Sequence, residues 1–150
     1  MKFNVIKLLA FATSASAVSH QLVKNWCGHD KWVALTLNGT DVAPFILPGG
    51  QAYIANITGE GNTAIVANTA AIFTAAIPKL LLGTSTDGNI LYWNLNNITG
   101  NPMDGTLFNV TSVGSSPDIC QHANRYSNAV YACADQDFTL TLNLCSQAPQ

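Results

Sequence analysis

Asp135 and Asp137 stand two apart, so an extended chain would aim both carboxylates to one face. Glycoside hydrolysis needs two carboxylates flanking the scissile bond, one with a raised pKa. This pair is the arrangement in the chain that could supply them. The other acids are Asp30, Asp41, Glu60, Asp87, Asp104 and Asp118. Asp87-Gly88 and Asp104-Gly105 read as turns, where Asp commonly bonds its own backbone. The plainer reading of Asp135 and Asp137 is a pair of solvated loop acids, and no residue is assigned as catalytic.

The histidines allow a second chemistry. A chain beginning at His20 would offer an amine and an imidazole at one point. His29 or His122 could add a second imidazole, giving the nitrogen ligands that copper takes. The plainer reading is a strand whose first residue happens to be His, so no metal or cofactor is expected. The cysteines contain no Cys-x-x-Cys pair of the kind zinc sites use. There is no Gly-x-Ser-x-Gly elbow, phosphate loop or dinucleotide fingerprint.

Four cysteines are present: Cys27, Cys120, Cys133 and Cys145. An even number in an exported chain reads as two disulfides, with three possible pairings. The favoured set is Cys27 with Cys145 and Cys120 with Cys133. The first would tie an N-terminal strand to a C-terminal one, and the second would close a local loop. By loop entropy the short ring stabilises by about 3 kcal/mol and the long one by more.

The aromatics point to binding. Trp26, Trp32, Tyr53, Tyr92, Trp93 and Tyr126 are candidate ligand-binding rings, and Tyr131 adds another. An exposed Trp or Tyr offers a flat apolar face and a polar tip to a sugar ring. Core packing competes for the same residues, and adjacent Tyr92 and Trp93 must put one ring on each face of a strand.

Export is written at the N-terminus. Lys2 and Lys7 give a positive start, Val5 to Ala12 is a short apolar run, and Ala15-Ser16-Ala17 is a small-residue cleavage site. The expected division is a signal peptide over 1–17 and one domain over 18–150. Cleavage after Ser19 is the alternative. Four sequons agree with export, at Asn38, Asn56, Asn97 and Asn109, each followed two residues later by Thr. Glycan is expected on at least two of them. Losing Lys2 and Lys7 leaves four basic residues against eight acidic ones. With no basic run, nucleic acid and anionic membrane are poor partners. No later stretch reads as a membrane span, and the last residues carry no hydrophobic tail of the lipid-anchor kind. The sequence leaves the oligomeric state open.

Short apolar runs cut by turn signals must position these groups, and such runs are strands. Phe138 to Leu144 places an apolar residue at every second position. Val33, Leu35 and Leu37 alternate likewise and lead into Asn38-Gly39, a hairpin signal. Val42 to Leu47, then Tyr53, Ala55 and Ile57, follow. Asp87-Gly88 joins Leu80-Leu81-Leu82 to Ile90–Trp93, and Leu107 to Val113 is a further strand. Ala64 to Ile77 reads as two strands. Pro117 to Asp137 reads as a disulfide-closed loop with one helical turn. The total is about eight strands, an all-β antiparallel sandwich stapled by two disulfides.

The N-terminal strand Leu22-Val23-Lys24-Asn25-Trp26-Cys27, then Gly28-His29-Asp30 and Lys31-Trp32-Val33, resembles the opening of thaumatin-like proteins. Phe45-Ile46-Leu47-Pro48-Gly49-Gly50-Gln51-Ala52-Tyr53 resembles their second hairpin. Asp87 to Leu95, running into Asn96 to Met103, is similar to the short fungal branch, the Blastomyces yeast-phase-specific or antigenic thaumatin-like family. The cluster Cys120, Tyr126 and Cys133 is similar to that family's late cysteine region. The resemblance implies a secreted thaumatin-like sandwich with a first-to-last disulfide matching Cys27–Cys145. Plant relatives carry more disulfides and an acidic cleft linked to glucan binding, whose carboxylates have no counterparts here.

The expected function is a non-catalytic secreted glycoprotein of the fungal surface or secretome, extracellular and in contact with the cell wall. It would bind a wall polysaccharide or a host component. The alternatives are a glucan-active enzyme, acidic or copper-dependent, and a purely structural or antigenic surface protein.

Overall fold

The computed structural model describes residues 18–146 apart from 75, 89, 104, 115–122, 124, 126, 128 and 134–137. The predicted signal peptide therefore lies outside the described residues. Among those described are ten strands: β1 (His20–Asn25), β2 (Lys31–Leu37), β3 (Thr40–Leu47), β4 (Ala52–Asn56), β5 (Asn62–Ala67), β6 (Lys79–Asp87), β7 (Ile90–Ile98), β8 (Phe108–Gly114), β9 (Tyr131–Cys133) and β10 (Phe138–Leu144).

Alternation decides what each strand buries. β10 turns Phe138, Leu140, Leu142 and Leu144 inward. β6 turns Leu80 and Leu82 inward, and β7 turns Leu91, Trp93 and Leu95 the same way. These meet Val33, Leu35 and Val66 in one core between two sheets. Each fully buried aliphatic side chain contributes roughly 1.5–3 kcal/mol, so this layer dominates stability.

One sheet has the order β4-β1-β10-β8 and the other β3-β2-β5-β6-β7-β9. Phe45 on edge strand β3 meets Tyr53 on edge strand β4 at 4.8 Å between ring centroids, linking the sheets along one side. Asn38 and Gly39 have φ of 49° and 73°, the left-handed pair that a two-residue hairpin demands. A register shift between Val33 and Leu35 accommodates Pro44 on β3, an edge strand, where a missing N–H costs no ladder bond.

Four expectations need correction. Among the described residues there are ten strands rather than about eight. The sandwich is not wholly antiparallel, because β1 and β10 pair in parallel, from His20 opposite Thr139 to Asn25 opposite Leu144. The region from Ala64 to Ile77 supplies one strand, not two. After Ala67 the polar side chains bind locally: Thr69 Oγ1 accepts from the Ala71 amide, and Thr74 Oγ1 donates to the Ala71 carbonyl. Such bonds compete with a sheet ladder. The resulting loop drops Ile72, fully buried, onto Ala34, Ile65 and Ala67 on the outer face of the six-stranded sheet. Finally, the expected late loop contains β9, and Ala123 bridges to Val110. No helical turn occurs there among the described residues.

Candidate functional site

Asn25 organises one end of the small sheet. Its carboxamide is fully buried, and Nδ2 donates to the carbonyls of His29 (3.1 Å) and Leu47 (2.8 Å). Oδ1 accepts from the Cys27 amide at 3.1 Å. Its backbone takes two more bonds, N–H to the Gln51 carbonyl and C=O from the Gly50 amide. One side chain thus fixes the 26–30 turn against the 47–51 turn. Gly49 fits this junction because a Cβ there would come within 2.6 Å of the Cys27 carbonyl. The Cys27–Cys145 disulfide fastens the same point, just beyond the ends of β1 and β10.

Trp26 projects from this clamp and is 55% exposed. Its amide donates to the Leu144 carbonyl at 3.1 Å, and its indole Nε1 donates to Asn143 Oδ1 at 3.4 Å. Asn143 Nδ2 donates in turn to Asn109 Oδ1 (2.9 Å) and Thr111 Oγ1 (3.2 Å). Lys24 Nζ stands 5.9 Å from the Trp26 ring centroid. An exposed indole held this way loses little entropy when a flat ligand stacks on it.

A second feature lies on the outer face of the six-stranded sheet. Thr63, Gly83 and Asn94 form one cross-strand row on β5, β6 and β7, and Ser85 pairs with Tyr92 beside it. With Val130 at the rim they line an open groove of about 280 Å³. The family scan matches the Bys1 model, Blastomyces yeast-phase-specific protein, over residues 8–146. The chain belongs to this family.

The fold of this Bys1-family chain is similar to two solved structures. The protein elicitor MoHrip2 from Magnaporthe oryzae superposes with a TM-score of 0.69 at 20% identity, covering 85% of this chain and 99% of that one. The thaumatin-like xylanase inhibitor TLXI superposes with a TM-score of 0.61 at 11% identity, covering 84% of this chain and 99% of that one. No curated protein matches the sequence. The thaumatin-like sandwich is therefore the fold of this Bys1-family chain.

The predicted aromatics divide sharply. Trp26 is exposed, and Tyr53 is 36% exposed against Phe45. Tyr92 is half-buried in the groove. Trp93 is buried in the core and stacked 4.3 Å from Tyr131, so its ring cannot meet an external ligand. Trp32 packs half-buried against the small cluster around Ile72. Tyr126, Cys120, His122, Asp104, Asp118, Asp135 and Asp137 lie outside the described residues. Cys133 is disulfide-bonded, but its expected partner is Cys120. Among the described residues, one disulfide has both ends placed.

His20 opens β1 and His29 lies beyond its far end, so the strand separates them. Among the described residues no three His, Cys, Asp or Glu side chains converge. Asp41 is engaged by Thr36 Oγ1 at 2.6 Å. No described helix is long and apolar enough to cross a membrane. Of the sequons, Asn38 and Asn56 are exposed, Asn97 is half-buried and Asn109 is buried. Sequence reasoning missed Asn25, Gly83, Asn94 and Asn143. Gly83 carried a usable signal, since glycine inside an apolar strand run often marks a close approach.

Proposed function

We propose that this chain is a secreted, non-catalytic recognition protein that binds cell-wall polysaccharide through Trp26. The observation that carries this reading is the exposed indole pinned by Asn143 and flanked by Lys24. The clamp around Asn25 and Cys27 supplies the rigid base that recognition by a surface ring requires. The elicitor and inhibitor neighbours suit this reading, because an elicitor and an inhibitor both act through what they contact.

Export follows cleavage after Ala17. Ser19 supports that position, since it is buried, its carbonyl accepts from the Ile57 amide at 2.7 Å, and its Oγ accepts from the Phe138 amide. Cleavage after Ser19 would discard these bonds, which supports a mature chain that begins at Val18 rather than His20. A second disulfide joins Cys120 to Cys133, and glycan decorates the exposed sequons.

The test is one incubation of the secreted protein with insoluble β-glucan, chitin and mannan. Both retained protein and released sugar are scored. Retention without release is expected. Sugar release would overturn the non-catalytic reading, and failure to bind any of the polymers would overturn wall recognition.

A further inference from the structure

The loop after β5 covers one end of the six-stranded sheet's outer face, leaving the groove at the other end open. We infer that this groove is a binding site for an uncharged, hydroxyl-rich ligand, the terminal rings of a neutral saccharide. The inference shares its ligand class with the recognition reading above, but it uses the opposite face of the sandwich.

Three observations carry it. First, among the described residues the lining contains no Asp, Glu, Lys, Arg or His. A charged ligand would be desolvated there without a counter-charge, which is costly.

Second, among the described residues no hydrogen bond is made by the side chains of Thr63, Ser85, Tyr92 and Asn94, all of which line the groove. Two other lining residues are already engaged: Asn62 Nδ2 donates to the Thr58 and Gly59 carbonyls, and Thr84 Oγ1 donates to Gln21 Oε1. The groove therefore gathers hydroxyl and amide groups still open to an external partner, beside the half-buried ring of Tyr92. That is the complement of a sugar, with polar edges and an apolar C–H face.

Third, Gly83 makes the floor. A Cβ at this position would overlap Asn94 Oδ1, so the missing side chain is what lets the carboxamide lie down between the strands. The volume falls just below the usual range of small-molecule sites, roughly 300–1,000 Å³, which suits a short saccharide end.

The variant Gly83→Ala isolates the groove. Gly83 is not among the glycines with positive φ, and the obstacle is the end of a side chain, so the fold should persist. The displaced Asn94 carboxamide would then occupy the groove. The experiment follows backbone amide shifts in the full mature protein during titration with laminaritriose, triacetylchitotriose or mannotriose, with trigalacturonate as the charged control.

The expected result is saturable shifts at Gly83, Ser85 and Asn94 with a neutral trisaccharide. Affinity read at these amides should fall about tenfold or more in Gly83→Ala and in Tyr92→Ala. The inference is overturned if no neutral probe shifts these amides, if trigalacturonate binds equally well, or if Gly83→Ala binds like the parent. Polymer retention lost in Trp26→Ala with groove shifts intact separates the two sites. Groove shifts without polymer retention sustain the groove and sink the Trp26 reading.

Discussion

The indole of Trp26 donates to the carboxamide of Asn143, a residue 117 positions away in sequence. The bond orients the ring on strands from opposite parts of the chain. Trp26→Ala should therefore abolish retention on the bound polymer. It should change thermal stability little, because the ring is more exposed than buried. A pull-down beside a melting curve reads both. A large loss of stability with normal retention would mean that the ring is a structural cover.

Asn25→Asp should be strongly destabilising although it is nearly isosteric. It replaces two donated bonds, to the His29 and Leu47 carbonyls, with carboxylate oxygens facing them. Leaving buried polar groups so mismatched costs about 1–3 kcal/mol each, more when one is charged. Urea unfolding would measure the shift, and an unchanged midpoint would refute the clamp.

Lys31 supplies a pH signature. It is 3% exposed and donates to Asn68 Oδ1 at 2.6 Å. Burial lowers its pKa below the usual 10.5 by desolvating the ammonium. The unfolded chain then binds this proton more tightly than the folded one, so this contribution to stability increases with pH through the interval up to 10.5. Lys31→Met should flatten that rise in urea midpoints measured across the alkaline range. An identical slope in both proteins would place the titration elsewhere.

The sequons should differ in occupancy. Asn38 sits at an exposed hairpin tip, and Asn56 is exposed on β4. Asn109 is buried and accepts from Asn143. Peptide mapping after enzymatic deglycosylation in water enriched in oxygen-18 should label Asn38 and Asn56 and leave Asn109 unlabelled. A label at Asn109 would contradict the amide ladder beneath Trp26.

What could be read from the sequence was local. Alternation in Phe138–Leu144 and the left-handed pair Asn38-Gly39 are properties of neighbouring residues, and the structure reproduces both. Tyr92 and Trp93 must face opposite ways, and the phase of Leu91 and Leu95 puts Trp93 inside, where it stacks on Tyr131. β9 is three residues long and exists because β7 offers an edge, so it has no pattern of its own. Asn25 is one Asn among many until residues near 29, 47 and 51 surround it. The groove was hidden for the same reason: Thr63, Gly83 and Asn94 meet only when three strands align.

The parallel pairing of β1 with β10 also orders events in time. During synthesis most of the large sheet can assemble early, since β2 with β3, and β6 with β7, are joined by tight turns. The small sheet cannot. β4 has β1 to pair with, but β8 has no strand beside it in that sheet until β10 leaves the ribosome. Contacts between such distant segments form slowly. The inner face of β6 and β7 must therefore wait, uncovered, for residues 138–144, and the newborn chain is most vulnerable to aggregation just before its last strand arrives.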